Sequence, residues 1–217
     1  MAATTEELLQ TILQSLEKVE YIKAEDIPNI DLYMDQVTTF MDEQLAASKR
    51  YESDKILTKT MINNYAKNNL LPSPDKKKYS KEHVLTLLFI YYFKNILSIN
   101  DIRSILNPLT EKYFGNDDGF MMQDVYTEVF SLEAEESQKL LKDLGKKYKI
   151  AGETFEDFPD GDQKFLHTFS FICMLSFDVY IKKMLIERMI DNLNEEKEAS
   201  SHKNTHSGKE SKKTGSN

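Results

Sequence analysis

The stretch "ILTKTMINNYAKNNLLPSPDKKKYSKEHV", Ile56 to Val84, decides how this chain is read. Thr58 is a helix N-cap, and the helix it opens is polar on one side and ends near Asn68 and Asn69. "LLPSP" cannot continue that helix, because proline lacks the amide hydrogen and restricts the residue before it. Asp75 to Lys78 then form a turn or ribbon tip, Tyr79 follows, and Ser80 caps a second helix without a glutamate at the third position to complete a capping box.

Working outward, the segment from Lys49 to Lys81 holds nine basic and three acidic residues. Its net charge is +6, leaving −14 on the rest of a chain whose total is −8. A local basic footprint on an acidic protein is the charge pattern of a small DNA-binding head on an acidic body. The same helix supplies the chemistry. Met61 or Ile62, Tyr65 and Leu70 form an apolar seam, while Thr60, Asn63, Asn64 and Lys67 line the opposite face, with Lys59 near the N-terminus. Asn pairs with the N6/N7 edge of adenine, Thr touches a thymine methyl, and a helix N-terminus suits a phosphate. Lys76, Lys77 and Lys78, with Tyr79 closing the turn, are placed as a wing on the DNA backbone. Thr58 belongs to this predicted site as its cap. The competing reading is an ordinary solvated basic face.

The rest of the chain predicts an all-α protein with one small β-ribbon. The 217 residues contain seven glycines and five prolines, and period-2 alternation is almost absent. Residues 1–26 carry an amphipathic helix with Leu8, Leu9, Ile12, Leu13, Leu16 and Val19 on one stripe. Residues 27–109 form the head, with helices at 31–47, 58–68 and 81–97 and a short helix stopped before Pro108. Residues 110–194 form a helical C-terminal region for dimerisation or sensing, and its last helix, 162–193, is so apolar that several helices or a second subunit must cover it. Residues 195–217 are expected to be disordered.

The order helix, polar connection, capped short helix, Leu-Leu-Pro, basic turn, aromatic, capped apolar helix resembles the winged helix-turn-helix of the MerR family. Its frame runs hydrophobic–Ser–x–Arg–Thr–Leu–Arg–Tyr–Tyr–Glu–x–x–Gly–Leu–Leu–Pro, against Leu57 to Pro72 here without a gap. Thr60 and Asn63 stand where that frame has arginines, and Asn64 stands at its first tyrosine. The bidentate grip on guanine is therefore missing, and an A·T-leaning readout is implied. "IPNIDLYMDQVTTFMDEQL" followed by "DKILTKTMINNY" and "KKYSKEH" is also similar to a bacterial domain-of-unknown-function family, number 1836, over about Ile27 to Leu109. That likeness implies a fold relation and no activity.

The expected function is therefore a DNA-binding transcriptional regulator, with double-stranded DNA as partner and a homodimer formed through the C-terminal helices. The alternative is a protein-interaction module that keeps the winged fold without reading DNA. An effector, small molecule or protein, is left open. Catalytic and metal-ligating residues, and any cofactor, are not expected. Cys173 lies in an apolar run and is read as a small core hydrophobe. His83 is a cap-region residue, His167 a core or interface histidine, and His202 and His206 fall in the tail. No Gly-rich phosphate loop or His-Glu-x-x-His occurs. Asp178, inside the apolar helix, is expected to face a Lys, Arg or Tyr partner or a helix-packing edge. A signal peptide and a membrane span are not expected, and the predicted location is the cytoplasm.

Overall fold

The computed structural model describes residues 21–116 and 119–210, together with positions 10, 11 and 14. Most of the predicted N-terminal helix, and residues 211–217, lie outside the described residues. The fold is mostly helical, with one two-stranded antiparallel ribbon. In chain order the elements are β1 (Leu32–Tyr33), α1 (Met34–Gln44), α2 (Lys59–Lys67), β2 (Lys78–Tyr79), α3 (Lys81–Phe93), α4 (Ile99–Tyr113), α5 (Met122–Ser131), α6 (Glu133–Gly152) and α7 (Asp160–Glu210). Among the described residues no helix is long and apolar enough to cross a membrane.

The centre is α3. Nine consecutive residues, His83 to Tyr91, are buried, so this helix is covered on every side. An all-round apolar helix of this kind has to be wrapped by its neighbours. β2, α4 and α5 touch it directly. Its start is closed by a capping box that the sequence reading missed. The Ser80 amide donates to His83 Nδ1 (3.0 Å), so a histidine takes the role usually given to glutamate. Glu82 turns away to accept from the Gly115 amide (2.8 Å) and ties down the end of α4.

The head does not stop at Leu109, where composition changes. Met122 and Tyr126 of α5 are fully buried in the same core. The Tyr126 hydroxyl donates to the Ile22 carbonyl (2.6 Å). Phe130 stacks on Phe89 and contacts Tyr21, Tyr92 and Tyr126, making an aromatic cluster that joins both ends of the segment. The change from apolar to polar composition marks a change in exposure, not a gap in packing.

Pro108 does not stop α4, which runs on to Tyr113. An interior proline has no N–H for the carbonyl four residues earlier, here that of Ser104. That carbonyl accepts instead from the Lys197 ammonium (2.7 Å). The same contact bears on the tail. Helix α7 continues through 195–210, where disorder was expected. "NLNEEKEA" consists mostly of helix-forming residues, and Lys197 is held on α4. Replacing Pro108 by Ala should restore the internal bond and stabilise the protein by about 1–3 kcal/mol. In urea denaturation, the loss caused by K197A should then be smaller in the P108A background than in wild type.

α6 and α7 form an antiparallel hairpin. Tyr148 packs on Phe171, while Lys147 bridges Asp143 and Asp178, so α6 numbers fall as α7 numbers rise. Of the two surroundings expected for the mid-helix carboxylate, Asp178 has a lysine partner, and the two aspartates hold the Lys147 ammonium above its ordinary pKa. His167 Nε2 meets the Thr154 carbonyl (2.8 Å) and fixes the hairpin turn. Cys173, however, is exposed and does not belong to the core.

His83 couples the fold to pH. Burial lowers its pKa, against smaller opposing pulls from the Ser73 backbone, Asp31 and the Pro72 backbone. Because Nδ1 accepts from Ser80, the proton sits on Nε2, which is buried without a hydrogen-bond partner. The unfolded chain binds a proton below about pH 6.5 that the native histidine refuses, so stability falls as pH drops below that value. Urea midpoints at pH 7.5 and 5.5 should show this loss, and His83→Gln should reduce it.

Candidate nucleic-acid interface

The helix α2 begins at Thr58, whose side chain accepts from the Met61 amide (3.2 Å). It buries Ile62 and Tyr65 and leaves Thr60, Asn63, Asn64 and Lys67 exposed, which is the division expected from the sequence. Its end is a Schellman turn. Asn69 adopts a left-handed conformation (φ 56°), the Leu70 amide donates to the Tyr65 carbonyl (2.9 Å), and the Asn69 amide to that of Ala66 (3.2 Å). Leu70 and Leu71 are buried, so the chain leaves the helix with its direction fixed.

The long connection before α2 is also anchored. Ile56 and Leu57 are buried, Lys94 donates to the Ile56 carbonyl (2.8 Å), and Lys49 pairs with Asp42 (2.7 Å). That pairing holds the Asp42 carboxyl below its ordinary pKa. The fourteen residues between α1 and α2 are thus held in place by packing against α1 and α3.

The three lysines are not equivalent. β2 pairs with β1 in the register Leu32 with Tyr79 and Tyr33 with Lys78, and the Lys78 ammonium lies 5.7 Å from the Tyr33 ring centre. Lys76 (φ 47°) and Lys77 (φ 66°) occupy the tip, where the Lys78 amide closes the turn on the Asp75 carbonyl (2.8 Å). Two successive left-handed residues make the type I′ geometry that Asn-Gly adopts with least strain. Lysine there costs conformational energy at both positions. Both side chains are exposed, and among the described residues neither has an acidic partner.

Two predicted contacts change role. Tyr79 is 4% exposed, with its ring against His83, and burial raises its pKa, so it is a core residue and not a DNA contact. The Lys59 ammonium pairs with Asp35 of α1, which joins the two helices and neutralises the charge at the start of α2. Three supporting residues escaped the sequence reading. Asp35 and Tyr33 lie far from their lysine partners in sequence. Arg103 of α4 donates through Nε to the Asn68 carbonyl (3.0 Å) at the end of α2. No local pattern marks these long-range pairs.

The arrangement is a helical domain whose ribbon tip and short capped helix expose lysines and amides beside one another in sequence. Residues 22–129 match the model of a family described as a domain of unknown function (DUF1836). No curated protein and no solved structure matches the chain. Among the described residues no group of acidic, histidine or cysteine side chains is placed to hold a metal ion.

The double variant K76N/K77G should be more stable than wild type by about 1–2 kcal/mol, since it places preferred residues in both left-handed positions. Urea denaturation followed by circular dichroism checks this.

Proposed function

We propose that this protein is a DNA-binding regulator whose head is a MerR-like winged helix-turn-helix. In this reading α2 enters the major groove, and the β1–β2 ribbon is the wing that meets the backbone. The observation that carries it is the ribbon tip, where two exposed lysines, without an acidic partner among the described residues, occupy left-handed positions that other residues would fill with less strain. Strain of this kind persists where charge at that point is useful. Thr60, Asn63, Asn64 and Lys67 supply the groove-facing side chains, Thr58 caps the helix, and Lys76 and Lys77 supply phosphate contacts. Lys78, laid along Tyr33, and Lys59, tied to Asp35, set the orientation of wing and helix. With amides in place of arginines, affinity rests chiefly on phosphates and sequence preference is shallow.

A protein partner in place of DNA is favoured by one feature. A shallow hollow of about 350 Å³ runs along α1, lined by Pro28, Leu32, Asp35, Gln36, Thr39, Phe40 and Glu43. Its acidic rim would repel a phosphate backbone and suit a basic, apolar segment.

Duplex binding measured across a salt series separates the two. Wild type should bind with a log–log salt slope set by a handful of phosphates, and K76N/K77G should lower that slope by about 2. Its affinity at about 0.1 M salt should fall on the order of tenfold to a hundredfold on every duplex tested. Equal slopes and affinities for variant and wild type would overturn the wing assignment.

A further inference from the structure

Helix α7 carries a second apolar face that nothing in the chain's described residues covers. Its first five turns place one side against α6. On the other side Phe165, Phe169, Ile172 and Val179 are 69%, 52%, 54% and 63% exposed, and Phe177 and Tyr180 flank them. Positions 165, 169, 172, 176, 179 and 183 alternate spacings of four and three residues, which is the heptad seam of a helix that packs on another helix. A soluble monomer rarely exposes a contiguous apolar patch larger than a few hundred Å². The six side chains on and beside this seam, open to this degree, sum to roughly 700 Å², since a large aromatic alone buries about 150–250 Å². A standard stable interface buries about 800 Å² per partner.

We propose that a second copy of this chain covers this face, with α7 packed antiparallel on α7 of its twin and centred between Ile172 and Ser176. The two hairpins then form a four-helix bundle. The seam is self-complementary in that direction. Ile172 lies across from Ser176 of the copy, Phe169 from Val179, and Phe165 from Lys183, whose aliphatic stem lies along the ring while its ammonium reaches water. Every layer pairs a larger with a smaller side chain. A parallel pair would oppose Phe169 to Phe169 and Ser176 to Ser176, crowding one layer and leaving a void in the other. A two-fold axis needs the same patch on both subunits, and this seam is symmetric about its own midpoint. The inference does not depend on the DNA reading, because association is measured without DNA.

Light scattering on the full chain at micromolar concentration should give twice the 25.2 kDa chain mass, and Ile172→Glu should halve it. Ile172 is exposed in the single chain, so the variant should keep its helical spectrum. The native thiol gives a second readout. Cys173 lies one residue from the axis, and a short bismaleimide should join two chains through it. With Cys173→Ser and Phe165→Cys together, the same reagent should fail, because the two thiols are about 27 Å apart along an antiparallel pair. A wild-type chain that stays monomeric, or a dimer that survives Ile172→Glu and shows no Cys173 cross-link, overturns the seam. Cross-linking at position 165 overturns the antiparallel direction.

Discussion

Everything in the head follows from the burial of α3. A helix with no polar face cannot lie on a surface, so each neighbour is positioned by the need to cover one of its sides. The ribbon strand β2 lies at its start, α4 and α5 lie along it, and the 45–58 connection closes over its far end through Lys94 and Tyr91. Ser48 reaches the Tyr91 hydroxyl, so even the polar atoms of this helix hold the connection in place. The exposed features are rigid for this reason. Leu70, Leu71 and Tyr79 bracket the lysine turn with buried side chains, and the chain between them has little freedom.

That rigidity is what lets the lysine tip persist. A surface turn free to relax would drop two left-handed lysines into the β or right-handed region. Here β1 fixes the register of β2 through Leu32 and Tyr79, both buried, and the turn must close in two residues. The strain is small beside the apolar area buried in the surrounding core, so the fold tolerates it.

The sequence made the capped helix α2, the proline stop, the ribbon tip and the all-α class legible, because caps, prolines and apolar periodicity act locally. Its failures share one cause. Pro108 reads as a stop because the lysine that satisfies the freed Ser104 carbonyl is ninety-three positions away. Tyr79 reads as a surface aromatic because its burial depends on a partner strand before α1. His83 was passed over as a box residue because Glu and Gln are the usual third residues, although imidazole presents an acceptor at similar reach. Cys173 and its neighbours read as core because an apolar helix implies a cover, and composition does not say whether the cover is intramolecular. Within the candidate site, the exposed amides were legible, while the partners that restrain Lys59 and Lys78 were not.

Two adjacent residues of α4 connect the head to the long helix. Arg103 donates to the carbonyl at the end of α2, and the carbonyl of Ser104 accepts from Lys197 of α7. Pro108 makes the second contact available, since without it the Ser104 carbonyl would be engaged within its own helix. A proline that weakens α4 therefore provides the acceptor that holds α7 on α4. Ile190 strengthens the same join by entering the head's core from α7. The orientation of the α2 face relative to α7 is then set through α4, by one apolar anchor and two hydrogen bonds, of which the Ser104 one exists because Pro108 keeps α4 from being an ideal helix.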